Sequence, residues 1–313
     1  MGRWLFFVLI IFAPISWAQN PTSETAQRWM QRMVEASKSV SYQGHSVLLS
    51  GGELTSLSVF HAPVNGEVWE RIVHMNGEPA EIIRKGSDVV CLHKDRAMQL
   101  SPVGPLMALK NGFAGADALY TFEVVAEDRV AGRVALRIDV QPKDQHRYGY
   151  SLWMDQASGI LLKSQTNGDG LTPLEVFEFV QLQVGQPIAA ESFQPSADVT
   201  RKIGLIPPSQ AGAQAQATAP FDLKWLPEGF KPVKSVMQPK EGAPFAAQVF
   251  SDGLAAFTVF FDQANASEGI RFKGATVAVN QASDQGSITV VGEIPLATAQ
   301  KVAQSANILA SHP

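Results

Sequence analysis

YGYSLWMDQASGILLKSQ, residues 148–165, reads as two strands joined by a tight turn. Side chains alternate across a strand, so Tyr148, Tyr150, Leu152 and Met154 share one face and Trp153 takes the other. Asp155 to Gly159 forms the connection, with Gly159 suited to a positive φ. Both faces of this hairpin carry large apolar groups. Each therefore needs a cover, and what supplies the covers decides the fold.

Working outward, the hairpin belongs to a long series of short β-rich segments. SYQGHSVLLS, LTSLSVFHA, EVWERIVHMNG, AEIIRKG and DVVCLH precede it, separated by Gly51-Gly52, Asn65-Gly66, Asn76-Gly77 and Gly86-Ser87. SPVGPLMALKNGFAGADAL interrupts the series with Pro and Gly residues that suit short helical turns or a loop. YTFEVVAED and RVALRIDVQ resume it, the second alternating Val134, Leu136, Ile138 and Val140 against Arg137 and Asp139. EVFEFVQLQVG closes it, with Val176, Phe177, Phe179 and Val180 expected near the core. Connections this short join antiparallel strands, because parallel pairing needs long crossovers. A many-stranded antiparallel sheet tends to curl or close. One cover is available in TSETAQRWMQRMVEASKSV. Ala26, Trp29, Met30, Met33, Val34 and Ser37 lie at helical spacing on one face, behind a Thr22 or Ser23 cap.

Residues 201–220, RKIGLIPPSQAGAQAQATAP, have little to bury and read as a linker. Beyond it FDLKWLPEGF holds a Pro-Glu-Gly turn between aromatics, and AAQVFSDGLAAFTVFFD and TVAVNQASDQGSITVVGE read as hairpins. IPLATAQKVAQSANIL reads as a helix, with Pro295 in its first turn and Leu296, Ala299, Val302, Ala303, Ala306 and Leu309 on its apolar face. The fold class is α+β. A first domain over 22–200 is a strongly curved antiparallel sheet with a helix packed on it, and a small α+β domain follows over 221–313.

The 313 residues are 45% hydrophobic and only 17% charged, with a net charge of -4 and no basic run. That argues against nucleic acid, whose phosphates call for a basic footprint. MGRWLFFVLIIFAPISWAQN has the positive start, short apolar stretch and small residues Ser16 and Ala18 of a secretory signal peptide, residues 1–18. The mature chain is expected to begin at Gln19, soluble and exported. No Cys follows that site to carry a lipid. Cys91 is the single cysteine, so the fold stands without an internal disulfide.

Chemistry-bearing motifs are sparse. The chain has no G-x-S-x-G elbow, no H-E-x-x-H and no phosphate-binding glycine loop. Cys91 and His93 share a strand face but have no identifiable orienting group. His45, His61, His74 and His93 read as ordinary sheet histidines, and Asn167-Gly168-Asp169-Gly170 as a turn rather than a calcium loop. The expectation is therefore no catalytic residue, no metal and no cofactor. What remains is an apolar inventory large for one thin layer. Trp29, Met30, Met33, Trp69, Met75, Tyr150, Leu152 and Trp153 either fill a core between sheet and helix or line a cavity for an apolar ligand.

RYGYSLWMDQASGILLKSQ, VHMNGEPAEIIRKG, WLPEGF, VFSDGLAAFTV and ITVVGEIPLATAQKVAQS, in this order from about Ala26 to Ile308, resemble the RseB/MucB family of Gram-negative bacteria. The resemblance implies a periplasmic negative regulator of the envelope-stress sigma factor. It implies binding to the periplasmic part of an RseA/MucA-like anti-sigma factor, shielding it from its site-1 protease. It further implies a first domain like the lipoprotein carriers LolA and LolB, an unclosed β-barrel with helices, where lipopolysaccharide or a related lipid binds and triggers release. On this basis the eight residues above are the expected lipid lining. Trp225, Leu226, Phe230, Phe250, Phe257 and Phe260, within Leu223–Phe230 and Val249–Phe261, are the expected anti-sigma contacts. A homodimer is left open. A periplasmic lipid or lipoprotein carrier of LolA type is the alternative, and a hydrolase using Cys91 or a Ser is the third reading.

Overall fold

A computed structural model describes residues 23–86, 88–93, 96–100, 116–170, 172–196, 221–240, 243–263 and 268–309. The expected signal peptide, the linker over 201–220 and the stretch 101–115 lie outside the described residues, as do the side chains of Cys91 and His93.

Helix α1, Ser23–Ser39, opens the first domain. Eleven strands follow: β1 Tyr42–Ser50, β2 Glu53–Val64, β3 Glu67–His74, β4 Ala80–Lys85, β5 Asp88–His93, β6 Arg96–Leu100, β7 Tyr120–Val130, β8 Arg133–Pro142, β9 Gly149–Asp155, β10 Leu161–Asn167 and β11 Glu175–Val184. A four-residue helix, α2 (Ala116–Leu119), precedes β7. The strands form one antiparallel sheet in the order β6-β5-β4-β3-β2-β1-β11-β10-β9-β8-β7. Apart from the β1–β11 pairing, it is a meander of sequential neighbours, and its two edges do not meet. Helix α1 touches both β2 and β7, far apart in the sheet order, so the sheet curls around it.

Three bulges help it curl, one of them in β10, where the register steps from Leu161↔Met154 to Lys163↔Trp153 and leaves Leu162 over. Opposite β1, the register steps from His45↔Gln181 to Ser46↔Phe179, which leaves Val180 as the extra residue. In β7 it steps from Val124↔Ile138 to Ala126↔Arg137, which leaves Val125 over. A bulge bends its strand and increases the local twist. Val180, next to the inward Phe179, points to the other face and is 57% exposed, against the core position expected for it. Val134 is also exposed, standing at the turn end of β8 beyond the cover that buries Leu136, Ile138 and Val140.

The opening hairpin is β9–β10, with Trp153 opposite Lys163 and Gly149 opposite Asn167. Every residue of β9 is buried. Tyr150, Leu152 and Met154 join Ala26, Met30 and Met33 of α1 and the inner faces of β7 and β8 in one core. Trp153 lies on the opposite face with Val130, Ala135 and Leu162. There its Nε1 donates to Asp128 at 2.9 Å, and Arg137 and Lys163 cover its ring. The turn is pinned to the helix, since Arg32 Nη2 donates to Ala157 O at 2.7 Å. Gly159 sits at φ +81, and a Cβ there would stand 2.9 Å from Arg32 Cγ and 3.2 Å from Arg32 O. Gly159→Ala should therefore destabilise the chain by more than about 1 kcal/mol, read as a lower urea midpoint, because the strained φ adds to the clash.

The second domain contains β12 Phe221–Leu223, β13 Lys231–Lys240, β14 Ala243–Ser251, β15 Ala256–Asp262, β16 Gly269–Lys273, β17 Thr276–Ser283, β18 Gly286–Gly292, α3 Leu296–Ser305 and β19 Ala306–Ile308. Six strands run in the order β13-β14-β15-β18-β17-β16, and α3 packs on β17 and β18. The helix is shorter than its apolar spacing suggested. It stops at Ser305, whose hydroxyl bonds Val302 O and Trp225 O. Ala306–Ile308 then pairs antiparallel with Phe221–Leu223, so backbone partners distant in sequence end the helix. Pro295 is its N-cap rather than its first-turn residue.

Candidate functional site

Two places in the fold can do chemistry by recognition. The first is a cavity of about 80 Å³ between α1 and the sheet half formed by β1–β3, β10 and β11. Met33, Val59, Ile72, Ile160, Leu161, Phe177 and Phe179 give it an apolar wall, and Ser37, Tyr42 and Glu70 supply its polar side. The polar side is one cross-strand row. Tyr42 on β1 pairs with His61 on β2, His61 with Glu70 on β3, and Glu70 with Arg84 on β4. The Tyr42 and His61 rings stack at 4.5 Å. His61 Nδ1 lies 3.3 Å from Glu70 Oε1, and Arg84 Nη2 lies 3.3 Å from Glu70 Oε2. His61 Nε2 donates to Ser37 O at 2.9 Å and so ties the end of α1 to the sheet. Burial pushes the Tyr42 hydroxyl well above its ordinary range, the Glu70 charge adds to this, and Arg84 opposes it. Tyr42 thus stays a neutral hydroxyl. The cavity suits an apolar group with a hydrogen-bonding end. It is well below the ~300 Å³ of a drug-sized pocket, so anything larger than a chain end needs α1 to move.

The second place is the seam between the domains. Arg147, fully buried, donates to Asp144 through Nε and Nη2 at 3.1 and 3.0 Å, to Asp252 Oδ2 at 2.8 Å and to Glu228 O at 2.6 Å. Its guanidinium lies over the Tyr120 and Phe230 rings. Tyr120 donates to Asp252 at 2.8 Å. The Leu254 and Ala255 amides satisfy the other Asp252 oxygen. Leu254 itself, from the second domain, is buried in the core of the first. His146 bonds Thr298 at 3.1 Å and meets the Trp225 ring edge-on. Gly229, at φ +83 in the Pro-Glu-Gly turn, lies so near Leu119 that a Cβ would overlap its methyl groups.

The residues expected from the sequence distribute unevenly over these two places. Of the eight expected lining residues, Met33 borders the cavity. Met30, Tyr150 and Leu152 are packed in the adjoining core with Trp29 against it, and Trp153 faces the other way. Trp69 meets Phe193 edge-on, with Lys85 over its ring, and Met75 is 57% exposed. Of the six expected partner contacts, Phe230, Phe250 and Phe257 form the interior of the second domain, their rings 5.1 and 5.2 Å apart. Trp225 and Leu226 pack against that core, and Lys301 covers the Trp225 ring at 3.9 Å. Phe260 is half-buried on the other face of β15. Within these two stretches, Glu228, Phe230, Asp252 and Leu254 also meet the first domain.

Sequence reading missed Tyr42, Glu70, Ile72 and Ile160 in the cavity and the Arg147–Asp252 pair at the seam. Among the described residues, no group of three or more His, Cys, Asp or Glu could hold a metal, and no helix is long and apolar enough to cross a membrane.

Comparison with known proteins matches both domains. The MucB/RseB N-terminal domain family covers residues 25–197, and the MucB/RseB C-terminal domain family covers residues 215–307. The sigma factor AlgU regulatory protein MucB of Pseudomonas aeruginosa is 33% identical over 290 residues, 90% of each chain. The sigma-E factor regulatory protein RseB of Escherichia coli K12 is 26% identical over 322 residues, 97% of this chain and 98% of the relative. In a solved complex of Pseudomonas aeruginosa MucA and MucB, the matching chain is 30% identical, with a TM-score of 0.73 over 91% of this chain and 99% of that one. With both domains matched in order and nearly the whole length covered, the chain belongs to the MucB/RseB family.

Proposed function

We propose that this chain is a periplasmic negative regulator of an envelope-stress sigma factor. It holds the periplasmic segment of a RseA/MucA-like anti-sigma factor, shields it from site-1 proteolysis, and releases it when lipopolysaccharide or a related lipid enters the first domain. The observation that carries this is the match of both domains, at nearly full length, to relatives named as sigma-factor regulatory proteins. The apolar cavity beside α1 supports the lipid arm. A lipid can shift partner binding only through its differential affinity for the free and bound forms. Movement of α1 provides such a difference, because the cavity as folded is too small for a whole acyl chain.

The cavity also favours the carrier reading, in which the first domain ferries lipid between membranes. Against it stands the seam. A second domain that places Leu254 in the first domain's core and Asp252 on Arg147 is built into the molecule rather than appended to it. The two readings part in a pull-down with the anti-sigma periplasmic segment. The regulator captures it at micromolar concentrations or below. A carrier leaves it unbound and moves labelled lipid between vesicles instead. The full chain is needed for this test, since removal of 221–313 would also uncover the first core.

A further inference from the structure

The seam has a second pole, of opposite character to the Arg147 pair. Glu293, just after β18, and Glu175, at the start of β11, bring one carboxylate from each domain towards the same buried place. The domains are in close contact there. A Cβ on Gly274, in the turn between β16 and β17, would overlap the Ser50 hydroxyl and lie 3.3 Å from Glu175 Oε2. Lys273 Nζ reaches Glu53 Oε2 at 3.2 Å across the same edge. Glu293 Oε2 and the Tyr150 hydroxyl are both fully enclosed and have no hydrogen-bond partner among the described residues. A buried ionised carboxylate without a partner is costly, and a second carboxylate beside it makes it costlier.

We propose that Glu293 and Glu175 form a proton-operated seam, which holds the two domains together while Glu293 carries a proton and loosens as that proton leaves. The inference concerns the domain junction and stands whether or not the regulatory reading holds. The titratable groups facing Glu293 are Glu175 on β11, Tyr150 on β9 and Tyr148 just before β9. Behind Tyr150 lie Asp252 and Arg147, and Asp169 acts on Tyr148. Burial first, and the Glu175 charge second, push Glu293 up from the ordinary 4.5 to about 8. Burial likewise raises Glu175, while its bond from Ser50 opposes the rise. An acid whose pKa rises on closure takes up a proton when the seam closes. The seam's contribution is therefore full below the ordinary carboxyl value. It is lost progressively as pH rises towards about 8, and stays lost above.

The test is amide hydrogen exchange on the full chain and on Glu293→Gln, at pH 6 and pH 9, corrected for intrinsic exchange. In the wild type, protection over Tyr148–Asp155 and Gly286–Glu293 should fall on the order of tenfold or more between the two pH values, as the domains part. Glu293→Gln keeps a neutral side chain of similar size, so its protection should change far less. A wild type with pH-independent protection, or a Gln variant that loses as much as the wild type, overturns the proposal. Should the variant misfold, the carboxyl carbon of Glu293 followed by NMR in the wild type decides. A midpoint near the ordinary value overturns the proposal, and one far above it supports it.

Discussion

Replacing Arg147 with alanine should cost about 3–5 kcal/mol, because Asp252 would remain buried with its cation gone. The melting temperature should fall on the order of 10 °C. Arg147 and Asp252 are both fully enclosed, one from each domain, at 2.8 Å. The loss would not be local. Asp252 also accepts from Tyr120 and organises the Leu254 amide, so the turn that inserts Leu254 into the first core rests on the same carboxylate. The variant should unfold in two steps, the domains parting before either melts. A paired replacement, Arg147→Met with Asp252→Leu, removes both charges but leaves the Tyr120 hydroxyl and the Leu254 and Ala255 amides without their acceptor, so it should recover only a minor part of the loss. Calorimetric unfolding of the three chains measures this directly. A single-step melt within a degree of wild type for Arg147→Ala would show that the pair does not hold the domains.

Phe179→Ala should destabilise the first domain by about 3–5 kcal/mol and also enlarge the cavity. Phe179 is buried at the centre of the β11 wall, with its ring edge-on to Tyr42 and Phe177. Its removal leaves space beside Val59 and Ile72. An amphiphile that enters the cavity should then stabilise the variant more than the wild type, because binding to the native state adds RT ln(1 + [L]/Kd). Thermal shift against a lipid A-type ligand separates the two effects. Equal ligand-induced shifts in both chains would mean that the ligand binds elsewhere.

Most strands of the first domain and their antiparallel connections are legible in the sequence because their signals are local. Period-two alternation put Tyr150, Leu152 and Met154 on one face of β9 and Trp153 on the other, and the core clusters divide them the same way. The helical stripe Ala26, Met30 and Met33 was legible for the same reason. Val180 is expected near the core for its apolar character, yet it directly follows the inward Phe179 and so stands on the other face of β11, exposed. What else escaped depends on pairing between distant segments. Ala306 continues the spacing of α3, yet Phe221–Leu223 draws it into a strand. The cavity is the larger case. Tyr42, His61, Glu70 and Arg84 are scattered over some forty residues of sequence and become a row only through three strand registers. Arg147 and Asp252 read as ordinary loop charges until the domains meet. Large aromatics such as Phe250 and Phe257 looked available for a partner because composition does not distinguish a core from an interface.

The central claim is that lipid in the first domain weakens the grip on an anti-sigma factor. Isothermal titration of the full chain with the periplasmic segment of its cognate anti-sigma factor, with and without saturating lipid A-type ligand, tests it most directly. The account predicts tight binding without lipid and an affinity at least about tenfold lower with it, a coupling of roughly 1.4 kcal/mol or more. An affinity unchanged under saturating lipid would contradict it.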